Sequence, residues 1–333
     1  MEPATVSITN PDVQNRVPTV QVSLSRVGVT GVEKIIRLRT DGEDQLFAAQ
    51  LECFVDLGPQ QKGAHMSRFE EVVNEAIGEV VLGMSTFEAE TLAVRIAELV
   101  RERQGARRAE VTLEARYPEH KPAPVSGIET QEIYTLYGRA TASERGTRRI
   151  VGVRAQGMTA CPCAQELVWG AARERLLAEG YTGEQAEQIF DLVPVATHNQ
   201  RGLGTLLIGF PEGDDTVIDA KTLLAIVEDS MSSEIYELMK RSDEGAVVEK
   251  AHRRPRFVED CVRETVRGVL DQLGSLTDEH FVFARQENLE TIHQHNVVAE
   301  RYGLLGELRR ELETGEHALD HVSMRQWLDA AGR

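Results

Sequence analysis

The order of strands and helices is the feature that most constrains how this chain folds. Apolar residues alternate with polar ones in some stretches, which is typical of strands, and recur every three or four residues in others, which is typical of helices. In both halves of the chain these stretches follow the order strands, helices, strands, without a detectable sequence repeat. A doubly wound sheet would require strands and helices to alternate. The sequence therefore predicts an α+β fold in which antiparallel sheets carry helices grouped on one face.

The predicted elements divide the chain into two modules and a tail. The first module, residues 1–125, is predicted to contain strands at 20–25, 34–38, 45–56 and 111–117 and helices that begin at Ser67 and Thr86. The second module, residues 126–303, is predicted to contain strands at 132–138, 148–156, 203–210 and 281–286 and helices at about 163–179, 183–190, 218–240 and 255–273. A proline-rich connection at 118–124 joins the modules. Residues 304–333 form a charged helical extension, which we expect to be peripheral.

Composition limits the class of protein. The 333 residues carry a net charge of −17, which makes nucleic acid an unsuitable partner. Only six of the 37 basic residues are lysines; an acid excess with scarce lysine indicates a halophilic source, whereas a GC-rich genome would explain only the shortage of lysine. No apolar run reaches the roughly 18 residues of a membrane span, and no signal peptide is expected. Four cysteines do not make a disulfide framework, so we expect reduced thiols in a cytoplasmic protein.

Thiol and imidazole side chains occur in short, unusual settings that lie far apart in the sequence. Cys161 and Cys163 flank a proline at a predicted strand-to-helix junction, where the helix N-terminus lowers the pKa of a thiol. His198 lies in a polar turn, and His293 and His295 would share one face of a strand. These are ligand types for Zn or Fe(II). The alternatives are small buried residues in a tight turn for the cysteines, a surface position for His198, and a polar loop for the paired histidines.

Carboxylates and one basic pair complete the candidate residues. Glu244 follows an amphipathic stretch, Glu259 lies near a predicted helix start, and Glu290 precedes the paired histidines. Acidic residues are common at helix starts because they interact favourably with the helix dipole, so capping is the alternative role for Glu259. His65 and Arg68 lie where a strand is followed by a helix, a position at which Arg68 would contact a bound anion. The alternative for His65 is a simple capping role.

Seven short phrases, taken in order, resemble one known family. They are Ser25-Arg-Val-Gly-Val-Thr-Gly-Val, Gly63-Ala-His-Met-Ser-Arg-Phe, Cys161-Pro-Cys, His198-Asn-Gln-Arg-Gly, Ser233-Glu-Ile-Tyr-Glu-Leu-Met-Lys-Arg-Ser-Asp-Glu244, Pro255-Arg-Phe-Val-Glu-Asp260 and Glu290-Thr-Ile-His293. In these phrases the chain is similar to the prokaryotic type IB GTP cyclohydrolases and their archaeal relatives. The resemblance covers about residues 20 to 300, and the number of ordered phrases makes it specific.

The resemblance implies a fold, an assembly and a metal site. The fold is the tunnelling fold, in which modules of one antiparallel sheet and two helices join into a barrel. Active sites in that fold lie between modules or subunits, so we expect a homodimer or homotetramer. By matching positions, the resemblance implies a metal, Fe(II) with Zn or Mn as alternatives, held by Cys161, His198, Glu244 and His293.

The resemblance also implies a reaction on GTP. Metal-activated water attacks C8 of the guanine ring, the ring opens, and C8 leaves as formate. Glu259 would anchor the guanine by accepting hydrogen bonds from its N–H groups. Glu290, His295 and His198 are the candidates for moving protons. His65 and Arg68 are the further candidates for contacting the substrate.

Two departures from the bacterial pattern favour the archaeal branch of the family. Thirty-six residues separate Cys161 from His198, where the bacterial enzymes have a short link, and the second histidine, His295, is more typical of the archaeal branch. That branch uses Fe(II) and makes 7,8-dihydroneopterin 2′,3′-cyclic phosphate, formate and pyrophosphate, the first step of pterin biosynthesis towards folate or methanopterin. One alternative is the bacterial-type product, 7,8-dihydroneopterin triphosphate. The other is a non-catalytic protein that binds GTP or a pterin.

Overall fold

The computed structural model describes residues 12–40, 43–83, 89–316 and 320–330. The chain divides into two compact units. The first comprises Met1–Leu113 with Arg139–Thr147, and the second comprises Glu114–Gly138 with Arg148–Arg333. Three strands have residues in both units, namely β3 (Arg108–Pro122), β4 (Glu129–Ser143) and β5 (Gly146–Ala160), of which only the first two residues belong to the first unit.

The first unit is built on a long antiparallel hairpin that carries two helices. Its elements are β1 (Leu24–Thr40), β2 (Glu43–Leu57), α1 (Met66–Gly83) and α2 (Ala89–Gln104). The pairing of β1 with β2 runs from Leu24 opposite Leu57 to Thr40 opposite Glu43. Helix α1 packs against β1 and α2 against β2. Alternate residues of β2, including Leu51, are fully buried beneath them, as expected for a strand with one covered face.

The second unit contains the remaining elements. They are β5 (Gly146–Ala160), α3 (Pro162–Ala178), α4 (Gly183–Leu192), β6 (Asn199–Phe210), α5 (Ala220–Ser230), β7 (Ser233–Glu234), α6 (Arg241–Arg253), α7 (Val258–Gln272), β8 (Phe281–Leu289), β9 (Val297–Leu304), α8 (Leu305–Thr314) and α9 (Met324–Asp329). Strand β5 pairs antiparallel with β6, β6 with β8, and β8 with β9, and the short β7 pairs with β5. The described residues thus form a nine-stranded sheet, and the predicted α+β class is confirmed. No helix among them is long and apolar enough to cross a membrane.

Helices α5 and α7 cover one face of this sheet. A Cβ atom at Gly204 of β6 would lie 2.4 Å from the Val227 side chain of α5, so glycine permits the close approach. The two helices also approach each other closely, because a Cβ atom at Gly268 of α7 would lie 2.9 Å from the Ile226 side chain of α5. The prediction that helices group on one face of the sheet therefore holds for α5 and α7.

The C-terminal segment packs on the opposite face of the same strands. Trp327 of α9 is 3% exposed and joins a buried apolar cluster with Tyr137, Ile150, Leu207 and Phe281. Residues 207 and 209 of β6 are an odd number of positions from Gly204, so they point to the other face of the sheet. A Cβ atom at position 209 would lie 2.7 Å from the Trp327 ring. The expectation that the tail is peripheral was therefore wrong for this residue.

Two predicted boundaries were also wrong, and one strand was not predicted. The helix predicted at 218–240 ends at Ser230, because the next residues turn to pair with Gly157 and Met158 of β5. The connection predicted at 118–124 is largely strand, since β3 continues to Pro122. Strand β9 was missed, and it extends the sheet beyond β8.

Candidate functional site

Three neighbouring strands of the second unit, β5, β6 and β8, have ends that lie side by side, and we call this end of the strands the sheet edge. Ala160, the last residue of β5, lies opposite Asn199, the first residue of β6, and Leu289, the last residue of β8, lies opposite Arg201. Beyond these ends, the Cys161 backbone N–H donates to the carbonyl oxygen of His198 at 3.1 Å. The strand register therefore brings together residues that are far apart in the sequence.

Cys161 lies at the N-terminus of α3. Its Sγ accepts a hydrogen bond from the backbone N–H of Ala164 at 3.5 Å, which makes the thiol the N-cap of that helix. The hydroxyl of Thr197 donates to the Cys161 carbonyl oxygen at 2.7 Å. This bond holds the backbone of Cys161 against the residue that precedes His198. Cys163, in the first turn of α3, is exposed.

His198 and Glu290 face each other at this edge. The Nδ1 atom of His198 lies 3.9 Å from Oε2 of Glu290, and the two side chains are only 15% and 6% exposed. That carboxylate oxygen is buried and has no hydrogen-bond partner among the described residues. A buried carboxylate without a partner costs free energy, so it marks a place where a ligand would be stabilising.

Gln200 is a buried polar residue that the sequence analysis did not single out. Its Oε1 lies 3.0 Å from Nδ1 of His198, and its Nε2 donates to the hydroxyl of Thr159 at 3.0 Å. Gln200 is 5% exposed and Thr159 is fully buried. The signal in the sequence was the spacing, because residues two apart on a strand project to the same face.

Two helix ends enclose the same edge. His252, near the end of α6, has its Nε2 3.4 Å from the carbonyl oxygen of Thr197. The backbone N–H of Arg256, just before α7, donates to the Ala160 carbonyl oxygen at 2.9 Å. The Arg256 guanidinium in turn donates to the carbonyl oxygens of Asp229 and Ser230 at the end of α5. These contacts tie the end of α5 and the start of α7 to the end of β5, and the end of α6 to the residue before His198.

Glu244 lies in the first turn of α6, where its side chain is exposed. The adjacent Asp243 is buried and accepts hydrogen bonds from the backbone of Val125 and Lys240 and from the backbone and hydroxyl of Ser126. Burial raises the pKa of Asp243, but these hydrogen bonds outweigh it and hold the pKa well below its usual range. The start of α6 is therefore firmly anchored. Glu244 lies roughly 12 Å along the helix axis from His252 at its other end.

His293 and His295 lie in the loop between β8 and β9, so the prediction that they sit on a strand was wrong. Both are exposed, and their rings stack with centroids 5.2 Å apart. The loop begins at Glu290, and Thr291 donates to the Asn199 carbonyl oxygen at 3.1 Å. Its first residues are thus held at the sheet edge, and the histidines project from it.

Glu259 lies in the first turn of α7 and is exposed. It lines a groove of about 590 Å³ together with Val262, Ala299, Tyr302 and Leu308. The carboxylate has no hydrogen-bond or ion-pair partner in the described part of the chain, which leaves both oxygens able to accept hydrogen bonds from a ligand.

His65 and Arg68 belong to the first unit. His65 precedes α1, its backbone exchanges two hydrogen bonds with the Gln104 side chain, and its Nε2 lies 3.5 Å from Asp12. Arg68 donates to the carbonyl oxygen of Arg103 at the end of α2. In this chain both residues make structural contacts between the ends of the two helices.

The donors at the sheet edge suit a metal ion in their chemistry. They are a thiol at a helix N-terminus, an imidazole whose Nε2 is not engaged by the described residues, and a buried carboxylate oxygen without a partner. Within residues 12–40, 43–83, 89–316 and 320–330, however, no three Cys, His, Asp or Glu side chains are grouped closely enough to hold a metal.

Comparison with known proteins identifies relatives along most of the chain. The family model described as Type I GTP cyclohydrolase folE2 matches residues 11–299. The chain is 42% identical over 310 residues to a GTP cyclohydrolase MptA of Methanococcus maripaludis, covering 91% of this chain and 98% of that protein. It is 41% identical over 307 residues to the MptA of Methanocaldococcus jannaschii, covering 90% and 97%. Among solved structures, a uricase from Arthrobacter globiformis gives a TM-score of 0.49 at 8% identity, covering 89% of this chain and 96% of that one.

Proposed function

Because the chain belongs to the type I GTP cyclohydrolase family, we propose that it converts GTP to 7,8-dihydroneopterin 2′,3′-cyclic phosphate, formate and pyrophosphate. The observation that carries the proposal is the meeting of Cys161, His198 and Glu290 at one sheet edge. These are residue types that a ring-opening hydrolysis requires, namely ligands for a metal and a carboxylate for proton transfer. The identity to MptA proteins over nine-tenths of the chain supports the archaeal form of the reaction.

The metal in this proposal is Fe(II), with Zn or Mn as alternatives, and Cys161, His198, Glu244 and His293 would hold it. When bound, such a metal would lower the pKa of water enough to supply hydroxide close to neutral pH. The thiol accepts a hydrogen bond from the backbone of α3, and the imidazole at the start of β6 is held by its contact with the Gln200 side chain. Glu244 and His293 are both exposed and would approach from the start of α6 and from the loop after β8.

The other residues at the site bind guanine and move protons. Glu290 is buried and accepts no hydrogen bond at Oε2, so that oxygen can take a proton from water and return it to a ring nitrogen as the ring opens. His295, stacked on His293, is the second candidate for the same transfers. Glu259 would accept hydrogen bonds from the guanine N–H groups. His65 and Arg68 would contact the substrate at a neighbouring site in the assembly.

The assembly in this proposal is a homodimer or homotetramer of the tunnelling fold. One feature supports it. In the described residues, strands β1 and β9 each pair on only one side, which leaves edges that another subunit can extend.

The bacterial-type product, 7,8-dihydroneopterin triphosphate, is the second candidate. Here the segment between Cys161 and His198 folds as the hairpin of α3 and α4, an insertion that enters and leaves at the site itself. We infer from this position, together with the MptA relatives, that the cyclic phosphate is the product.

Product analysis distinguishes the candidates. Purified protein is incubated anaerobically with GTP and Fe(II), in low and high potassium chloride because the acidic composition predicts a halophilic enzyme. Mass spectrometry then identifies the pterin. A cyclic phosphate with formate and pyrophosphate supports the proposal, and a triphosphate establishes the bacterial-type reaction. Unchanged GTP under every metal and salt condition, with GTP still bound, would favour a non-catalytic binding protein.

A further inference from the structure

Two oxygen atoms face the same nitrogen of the His198 ring. Oε1 of Gln200 lies 3.0 Å from Nδ1, and Oε2 of Glu290 lies 3.9 Å from the same atom. A carbonyl oxygen and a carboxylate oxygen are both acceptors. If Nδ1 carried a lone pair instead of a proton, it would repel both oxygens in a poorly hydrated setting. The arrangement therefore favours the tautomer in which Nδ1 is protonated.

The Gln200 side chain is also anchored on the side away from His198. Its Nε2 donates to the hydroxyl of Thr159 at 3.0 Å, and these two residues are directly opposite each other on β6 and β5. Both side chains are buried, so bulk water does not compete for the hydrogen bonds of the amide. A reversed amide would place its N–H groups against Nδ1 and select the other tautomer, with the proton on Nε2.

From this geometry we propose that Gln200 is a positioning residue, which holds His198 with Nδ1 protonated and Nε2 free to bind the metal. The proposal rests on the proposed function, in which His198 is a metal ligand. A hydrogen bond from the distal ring nitrogen of a ligating histidine fixes the orientation of the ring and raises its basicity. Glu290 is then left with an unbonded oxygen for proton transfer, because Gln200 supplies the partner for Nδ1.

The first test measures metal affinity in the full-length protein. Zn(II) is titrated in competition with a chromophoric chelator against wild type, Gln200→Leu, Gln200→Glu and Thr159→Val. We expect Gln200→Leu to weaken Zn(II) binding by about 10- to 100-fold. Gln200→Glu keeps an acceptor oxygen towards Nδ1 and should retain tight binding. Thr159→Val releases the amide and should give a smaller loss than Gln200→Leu.

A matched control separates this role from general destabilisation. Gln286 is 1% exposed on the same face of the sheet and bonds to Asn288 rather than to His198. Gln286→Leu therefore removes a buried amide from a neighbouring strand without touching the ring. It should keep the wild-type Zn(II) affinity. If Gln200→Leu fails to fold, Thr159→Val carries the test, since it leaves Gln200 in the chain.

The second test reads the tautomer directly and does not depend on activity. Long-range ¹H–¹⁵N correlation spectra of metal-free protein labelled at its nine histidines show which ring nitrogen carries the proton. The signals of His198 are assigned by their loss in His198→Asn. We expect a protonated Nδ1 in wild type and in Gln200→Glu, and a shift towards protonated Nε2 in Gln200→Leu.

The outcomes separate the two proposals. If Gln200→Leu keeps both the wild-type tautomer and the wild-type Zn(II) affinity, the role of Gln200 is overturned while the proposed function stands. If His198→Asn itself binds Zn(II) as tightly as wild type, the ligand assignment in the proposed function fails. In that case the spectra still decide whether Gln200 sets the tautomer of His198.

Discussion

The backbone N–H of Cys161 donates to the carbonyl oxygen of His198, one step beyond the last residue pair of β5 and β6. The two residues are therefore neighbours in space although the helices α3 and α4 lie between them in sequence. The same strand ends bring Glu290 to within 3.9 Å of the His198 ring. The register of the strands thus brings the residues of the candidate site together, and backbone hydrogen bonds hold Cys161 and His198 side by side.

Metal content should depend on Cys161 and not on Cys163. Cys161 caps α3 beside His198, whereas Cys163 is exposed two residues further along, in the first turn of the helix. We expect Cys161→Ala to purify with far less than stoichiometric metal after anaerobic loading with Fe(II), and Cys163→Ala to keep it. Elemental analysis by mass spectrometry measures both. The reverse pattern would move the ligand assignment to Cys163.

Glu290 should be required for turnover and not for metal retention. Its Oε2 atom is buried, has no hydrogen-bond partner in the part of the chain that the structure describes, and faces His198, which suits proton transfer. We expect Glu290→Gln to lower kcat by about 10²- to 10⁴-fold, the range typical of a lost general acid or base. Formate release measures the rate, and metal analysis serves as the control. A variant that loses its metal instead would show that Glu290 is a ligand.

Glu259 should determine recognition of the guanine ring. The carboxylate is free to accept hydrogen bonds from N1–H and the 2-amino group of guanine. We expect Glu259→Gln to weaken GTP binding by about tenfold or more, the size of one lost charged hydrogen bond. Inosine triphosphate lacks the 2-amino group, so the variant should discriminate less between the two nucleotides than wild type does. Unchanged discrimination, measured by isothermal titration, would remove Glu259 from the guanine site.

Trp327 should contribute strongly to stability although it lies near the end of the chain. Its ring is buried against Phe281 and above Gly209, and the Arg148 guanidinium lies 4.8 Å from its centroid. We expect Trp327→Ala to lower the free energy of unfolding by about 3 to 5 kcal/mol. Arg325 on the same helix has a side chain 78% exposed, and Arg325→Ala should change stability little. Equal effects of the two substitutions in chemical denaturation would contradict the packing described.

His280 should make the fold sensitive to mild acid. Burial lowers the pKa of His280 below its ordinary value of 6.5, although Asp214 opposes the shift. The unfolded chain therefore binds more protons than the folded one in this range, so the contribution of His280 to stability is present above about pH 6.5 and is lost as the pH falls through the folded pKa. Asp214, whose pKa is also lowered, acts only below its ordinary value of 3.8.

Denaturant midpoints at pH 7.5, 6.5 and 5.5 test this linkage. We expect the wild-type midpoint to fall across the series and the fall to be smaller in His280→Gln, which has no proton to gain. His120 is exposed on β3, and His120→Gln serves as the control that keeps the wild-type slope. A His280→Gln slope equal to that of wild type would show that other groups govern the acid response.

The sequence predicted those elements whose local signals agree with the final packing. Thr182 caps α4 in a box with Gln185, and Asp219 caps α5, so both helices begin near the predicted positions. The helix predicted at 218–240 failed for a non-local reason. Residues 231–240 contain no glycine or proline, and the break is imposed by the pairing of β7 with β5 and by the hydrogen bonds from Val125 and Ser126 that hold Asp243 at the start of α6. Neither contact is visible in a local pattern.

The site was predictable in its residue types but not in its arrangement. The settings of Cys161 and His198 marked them as candidates, yet only the register of β5 and β6 places them side by side. Gln200 carries no charge and matched no ligand pattern, so its contact with His198 emerged only from the structure. The stacked histidines were expected on a strand because their spacing fits one, whereas the chain leaves the sheet at Leu289.

The measurement that tests the proposed reaction most directly is the mass of the pterin formed from GTP by the anaerobic, Fe(II)-loaded protein. We expect 7,8-dihydroneopterin 2′,3′-cyclic phosphate, with one formate and one pyrophosphate released for each GTP consumed, and no pterin from His198→Asn. A pterin that retains all three phosphates, or GTP recovered unchanged from the loaded wild-type protein, would contradict it.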